Sequence, residues 1–105
     1  MKRVIDGKRY DTATAVKIAA WDNGLYSNDF GWCEESLYRT KNGNYFLAGE
    51  GGPMSGYSQS CGNNSYSGGE GIQALTPDEA LEWLENKGKD VPEGCPELAA
   101  LVVEA

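Results

Sequence analysis

The chain has no histidine. That absence removes the commonest general base, the Ser–His and Cys–His nucleophile pairs, and most zinc sites. Cysteine is scarce: Cys33, Cys61 and Cys95 are three, widely spaced, with no CxxC pair. An odd, sparse set points to reduced thiols in a cytosol rather than a disulfide framework. Cys33 is followed by Glu34 and Glu35, the wrong charge to stabilise a thiolate, so it reads as packing or inert. Cys61, in Ser60-Cys61-Gly62, reads as exposed and oxidisable. No apolar run approaches the ~20 residues of a membrane span. The start, Met1-Lys2-Arg3-Val4-Ile5-Asp6-Gly7, lacks the apolar stretch of a signal peptide. The expected location is therefore the cytoplasm.

Positive charge is short in the second half. Residues 1–49 hold seven Lys or Arg against six Asp or Glu, whereas residues 50–105 hold only Lys87 and Lys89 against ten acidic residues. The net charge is −7. Such a field repels nucleic acid, which disfavours direct DNA or RNA binding, and attracts basic protein surfaces. Its plainer role is solubility.

What remains is an ordinary globular composition. The 105 residues suit one domain, with 40% hydrophobic and 24% charged residues. Asp6-Gly7, between Val4-Ile5 and Lys8-Arg9-Tyr10, predicts a first hairpin. Asp11-Thr12 offers an N-cap for a helix over Ala13–Trp21, with Ala15, Ile18 and Ala19 on one face and Asn23-Gly24 as the stop. Asn42-Gly43, between Leu37–Thr40 and Tyr45–Leu47, predicts a second hairpin, its first strand drawn from Phe30 to Thr40. Residues 49–71 carry eight glycines, a connection long enough to be functional or mobile. A helical turn over Pro53–Ser60 would shorten it. Ile72–Leu75 reads as a short strand. Thr76-Pro77-Asp78-Glu79 is a capping box with proline at the first helical position, opening a helix that Gly88 ends. Its buried stripe is Ala80, Leu81 and Leu84, with Trp83 at the flank. The fold class that follows is α+β: a small antiparallel sheet of two hairpins and a short strand, packed by two helices. Residues 1–88 form the domain and 89–105 a C-terminal extension, with a further helical turn or apolar tail over Glu97–Val103.

No catalytic constellation emerges, and no metal or cofactor is called for. Gly49-Glu50-Gly51-Gly52 lacks the spacing and lysine of a phosphate loop, and Glu50 would repel phosphate. Glu34 and Glu35 with Glu50 or Asp29 could bring carboxylates together for acid/base work or a hard cation. Adjacent residues on a strand point to opposite faces and do not converge by themselves, so solvated charge is the better reading. The segment Met54–Ser67 has the Tyr/Ser/Gly/Asn composition of a recognition loop, with Tyr57 and Tyr66 as its anchors; the competing reading is a plain flexible loop. Glu50, Glu70, Glu82 and Glu85 are the candidate partner-binding carboxylates. For the helix, the alternative is a solvated face.

Tyr10-Asp11-Thr12, Trp21-Asp22-Asn23-Gly24, Leu37 to Leu47, Gly49-Glu50-Gly51-Gly52 and Leu75 to Leu84, taken together, resemble a family of short proteins carried by prophages and conjugative elements of Gram-positive gut bacteria. The resemblance covers roughly residues 3–88 and brings no catalytic residues with it. It implies an anti-defence role of the anti-CRISPR kind: a small acidic inhibitor mimicking DNA against the basic nucleic-acid channel of a CRISPR effector. Two other classes stay open: an adaptor of a mobile element without nucleic-acid mimicry, and a small-ligand binder using the glycine-rich loop.

Overall fold

A computed structural model of the chain describes residues 1–26, 28–57, 59–60 and 66–105. Its centre is a four-stranded antiparallel sheet. The strands are β3 (Val16–Asp22), β4 (Cys33–Arg39), β5 (Tyr45–Gly51) and β8 (Gly69–Leu75), in the order β3-β4-β5-β8. The hairpin of β1 (Lys2–Ile5) and β2 (Lys8–Asp11) is a separate two-stranded sheet, as are the short β6 (Gln59–Ser60) and β7 (Tyr66–Ser67). Helix α1 (Pro77–Asn86) and the single turn α2 (Pro96–Ala99) complete an α+β fold.

Local chemistry explains the turns. Asp6 (φ 51°) and Gly7 (φ 76°) are both left-handed, as the tight turn between β1 and β2 demands. Between β4 and β5, Thr40 N donates to Asn44 O at 2.8 Å, Gly43 N donates to Thr40 O at 2.9 Å, and Gly43 takes φ 81°. At α1 both halves of the capping box form: Glu79 N donates to Thr76 Oγ1 at 3.2 Å and Thr76 N donates to Glu79 Oε1 at 2.9 Å. Gly88 (φ 68°) follows the helix end.

The helix expected over Ala13–Trp21 is instead strand β3. Asp11 does cap a turn, accepting from Ala13 N through Oδ1 and from Ala15 N through its carbonyl, but the chain extends from Val16. The register against β4 steps over Ile18 between Lys17 and Ala19. That bulge puts Ile18 and Ala19 on the same face of the strand, where both pack against the helix-side core. One bulge thus turned a period-2 pattern into an apparent helical one. The Pro53–Ser60 segment is likewise not a helical turn: turns run to Tyr57, and Gln59–Ser60 pairs as β6.

Each face of the sheet has its own core. On one side Leu37, Tyr45 and Leu47 meet Ala80, Trp83 and Leu84 of α1, with Cys95 and Leu98 from the α2 segment. Trp83, expected at the flank of α1, is buried beside Ala80 and Leu84, while Leu81 is only partly buried. The segment from Lys89, read in sequence as an extension, sends the fully buried Leu98 into this core. It is fastened by Glu97, whose carboxylate accepts from Arg39 Nε at 2.8 Å, from Arg39 Nη2 at 2.9 Å and from the Tyr45 hydroxyl at 2.7 Å. On the other side the β1–β2 hairpin lays Tyr10 over Phe46, Ala48 and Ile72. Tyr10 meets Phe46 edge-on with centroids 5.5 Å apart, and Tyr38 stacks on Phe46 at 5.1 Å.

Candidate functional site

The β1–β2 hairpin covers only one end of its face. At the other end the strand register builds a row of carboxylates. Asp22 on β3 is opposite Glu34 on β4, Glu34 is opposite Glu50 on β5, and Glu50 is opposite Glu70 on β8. Directly opposed residues share a face and stand about 5 Å apart, so the four acids run across the whole sheet. Glu34 and Glu70 are exposed and Glu50 is half-buried. Like charges in direct opposition destabilise a sheet. At Glu50, a hydrogen bond with Glu34, partial burial and the charges of Glu34 and Glu70 push the carboxyl above the usual range.

Beside this row lies an open groove of about 330 Å3. Glu34, Glu50 and Glu70 line it together with the small Ser36 and Ala48, with Lys17 and Tyr38, and with Met1 and Thr12 from the hairpin ends. Lys17 Nζ sits 5.8 Å from the centroid of the Tyr38 ring. A concave, carboxylate-lined groove suits an arginine or lysine side chain, by charge-assisted hydrogen bonds. Among the described residues no group of three or more His, Cys, Asp or Glu side chains is arranged to hold one metal ion. The acids form a row along which several cations can be spaced.

The residues singled out in sequence separate. Glu50 and Glu70 come together in the row, joined by Glu34, which sequence reading left as solvated charge. Glu82 and Glu85 are exposed on α1, which packs on the opposite face of the sheet. Tyr57 turns inward: its hydroxyl donates to Glu35 Oε2 at 2.5 Å, and a Cβ at Gly49 would overlap its ring and hydroxyl. Burial, with the hydrogen bond and charge of Glu35, pushes the Tyr57 hydroxyl well above the usual tyrosine range. The backbone of Tyr66 belongs to β7. Cys61 and Asn63–Ser65, with the rest of that loop tip, lie outside the described residues.

Glu35 is the functional-looking residue that spacing did not flag. The expectation that it points away from Glu34 holds, but it is not a solvated charge. On the helix side it accepts from Tyr57 and from Trp83 Nε1 at 3.2 Å, and it pairs with Lys87 Nζ at 3.7 Å. Lys87 in turn lies 3.6 Å over the centroid of the Trp21 ring. This network satisfies its own donors and acceptors, which makes it a structural joint between the glycine-rich turn, β4 and α1. Burial first, then Glu35, raises the neighbouring Cys33 thiol, so it stays protonated and unreactive at neutral pH. The glycines serve the same joint. Gly49 makes room for Tyr57 and Gly51 for Ser55, and a side chain at Gly69 would strike the Tyr57 carbonyl.

No protein-family model, curated protein or solved structure matches the chain, so its own residues and their geometry carry the functional reading.

Proposed function

We propose that this protein is a non-enzymatic binding protein whose acidic groove takes up basic side chains of a protein partner, on a surface the partner otherwise offers to nucleic acid. The observation that carries this reading is the row Glu34–Glu50–Glu70, set by strand register. Strands repeat at about 4.8 Å, so the row presents one negative charge per ~4.8 Å. A nucleic-acid strand presents one per ~3.4 Å of axis. The two are close enough for the same Lys and Arg side chains to serve both. The row also persists at a cost to the sheet, which plain solubility does not require.

With the resemblance to mobile-element proteins, the partner class to try first is a CRISPR effector, and the role an anti-CRISPR type of inhibitor. The test is guide-directed DNA binding by purified effector–guide complexes from Gram-positive gut bacteria, followed by fluorescence anisotropy as the protein is titrated in. Loss of DNA binding that the Glu34→Gln/Glu50→Gln/Glu70→Gln variant cannot produce supports the role. Unchanged DNA binding across the complexes counts against it.

A second reading, an adaptor without mimicry, draws on a different observation. Tyr26, Phe30 and Met54 are 85%, 67% and 77% exposed, and Met54 N donates to Phe30 O at 2.7 Å. This gathers two of the large apolar side chains at the sheet end next to the acidic row. If Phe30→Ser/Met54→Ser loses a partner that the triple glutamine variant keeps, the adaptor reading stands in place of mimicry.

A further inference from the structure

The four-stranded sheet has two edges, β3 and β8, and they are treated differently. On β8 the Arg3 guanidinium reaches over from the hairpin and donates to Ile72 O at 2.9 Å, occupying an outward carbonyl of that edge. On β3, among the described residues, no loop or side chain hydrogen-bonds to the outward backbone groups of Val16–Asp22. An open edge is a template for another strand.

Which groups point outward follows from one bond. Asn23 N donates to Cys33 O at 3.1 Å, so Asn23 and, by antiparallel alternation, Trp21 and Ala19 bond to β4. Ala20 and Asp22 then direct both N–H and C=O away from the sheet. Both are exposed, and Ala20 has no bulk to hold a second strand off.

We infer that β3 pairs with β3 of a second copy of this chain, antiparallel, about a two-fold axis at Ala20. In that register Ala20 exchanges both backbone hydrogen bonds with the partner's Ala20, and Trp21 faces the partner's Ala19. The bulge decides the next pair. Because Ile18 is stepped over, Lys17 takes the place that an unbulged strand would give Ile18, opposite the partner's Asp22. Lys17 and Asp22 are on the same face of the strand: Lys17 lies over Tyr38, and Asp22 heads the acidic row opposite Glu34. Two-fold symmetry makes the Lys17–Asp22 pair twice. Moving the axis by two residues, onto Asp22, opposes the two Asp22 carboxylates, so charge selects the register. Two four-stranded sheets become one continuous sheet, with both acidic grooves on one face. The inference does not rest on the proposed function: the backbone edge of β3 carries it, although Lys17 also lines the groove and Asp22 heads the acidic row.

The test is sedimentation of the full chain over a range of concentrations, with circular dichroism as the check on fold. The wild type associates to a dimer. Lys17→Asp and Asp22→Lys each turn two attractive pairs into repulsive ones and weaken the dimer about 10-fold or more. The double exchange Lys17→Asp/Asp22→Lys restores it, which a merely structural role for either residue does not predict. Ala20→Pro removes an outward N–H without touching a bond to β4, and abolishes the dimer while the spectrum stays native. A wild type that remains monomeric throughout overturns the inference. So does a dimer indifferent to both single reversals, or one that the double exchange leaves as weak as either single variant.

Discussion

Glu34 on β4 and Glu50 on β5 stand directly opposite one another on the open face of the sheet, carboxylate beside carboxylate. The proton affinity of Glu50 is raised there, and that fixes a pH dependence. A carboxyl raised above its ordinary 4.5 binds more protons in the folded state than in the unfolded one. Its contribution to stability is therefore fully present below pH 4.5 and is lost as pH rises through the folded value. Glu50→Gln removes this loss and should raise stability at pH 7 by about 0.5–1 kcal/mol. Thermal melts of both proteins across pH should show the gain shrinking as pH falls towards 4.5.

Glu97 behaves in the opposite sense. The Arg39 guanidinium and the Tyr45 hydroxyl hold its carboxyl down, to about 2 from 4.5. Its contribution is present above pH 4.5 and is lost as pH falls towards 2. Glu97→Gln should melt below the wild type at neutral pH, and acid titration should bring the two curves together. A constant gap down to pH 2 would show that the pairing is not what Glu97 supplies.

Leu98 lies on the segment that sequence reading set outside the domain, yet it is fully buried against α1 and the sheet. Leu98→Ala should cost ~2–5 kcal/mol, the range for core truncation, and Leu84→Ala on α1 the same. Urea denaturation measures both. A midpoint that barely moves for Leu98→Ala would mean that the C-terminal turn does not close the core.

Gly49→Ala would place a methyl group where the Tyr57 hydroxyl and ring now lie. We expect loss of ~1–3 kcal/mol from overpacking and the broken bond to Glu35. Combined with Tyr57→Ala, the two losses should add to less than their sum, because both act on the same contact. Full additivity in a double-mutant cycle would separate the glycine from the tyrosine.

Local chemistry was legible in the sequence. Asp6-Gly7, Asn42-Gly43 and the Thr76–Glu79 box each specify their turn or cap within a few residues, and each forms. The first helix was misread because the bulge at Ile18 broke the alternation of β3. Of the acidic row, the sequence singles out Glu50 and Glu70 but not their alignment with Glu34. Glu34, Glu50 and Glu70 are far apart in sequence, and only the register of three strands brings them into line. Composition alone placed Tyr57 on a contact surface, and it does not encode that Gly49 opens a space into which the ring folds.

The central claim is that the Glu34–Glu50–Glu70 groove holds a partner's basic, nucleic-acid-binding surface. Its most direct test is capture from host lysate on immobilised protein, followed by elution with duplex DNA or RNA. Wild type should retain a protein that nucleic acid and moderate salt both displace. Glu82→Gln/Glu85→Gln, altered on the far side of the sheet, should retain it equally, while Glu34→Gln/Glu50→Gln/Glu70→Gln should retain none. Capture that survives the triple variant, or that nucleic acid cannot displace, would contradict the account.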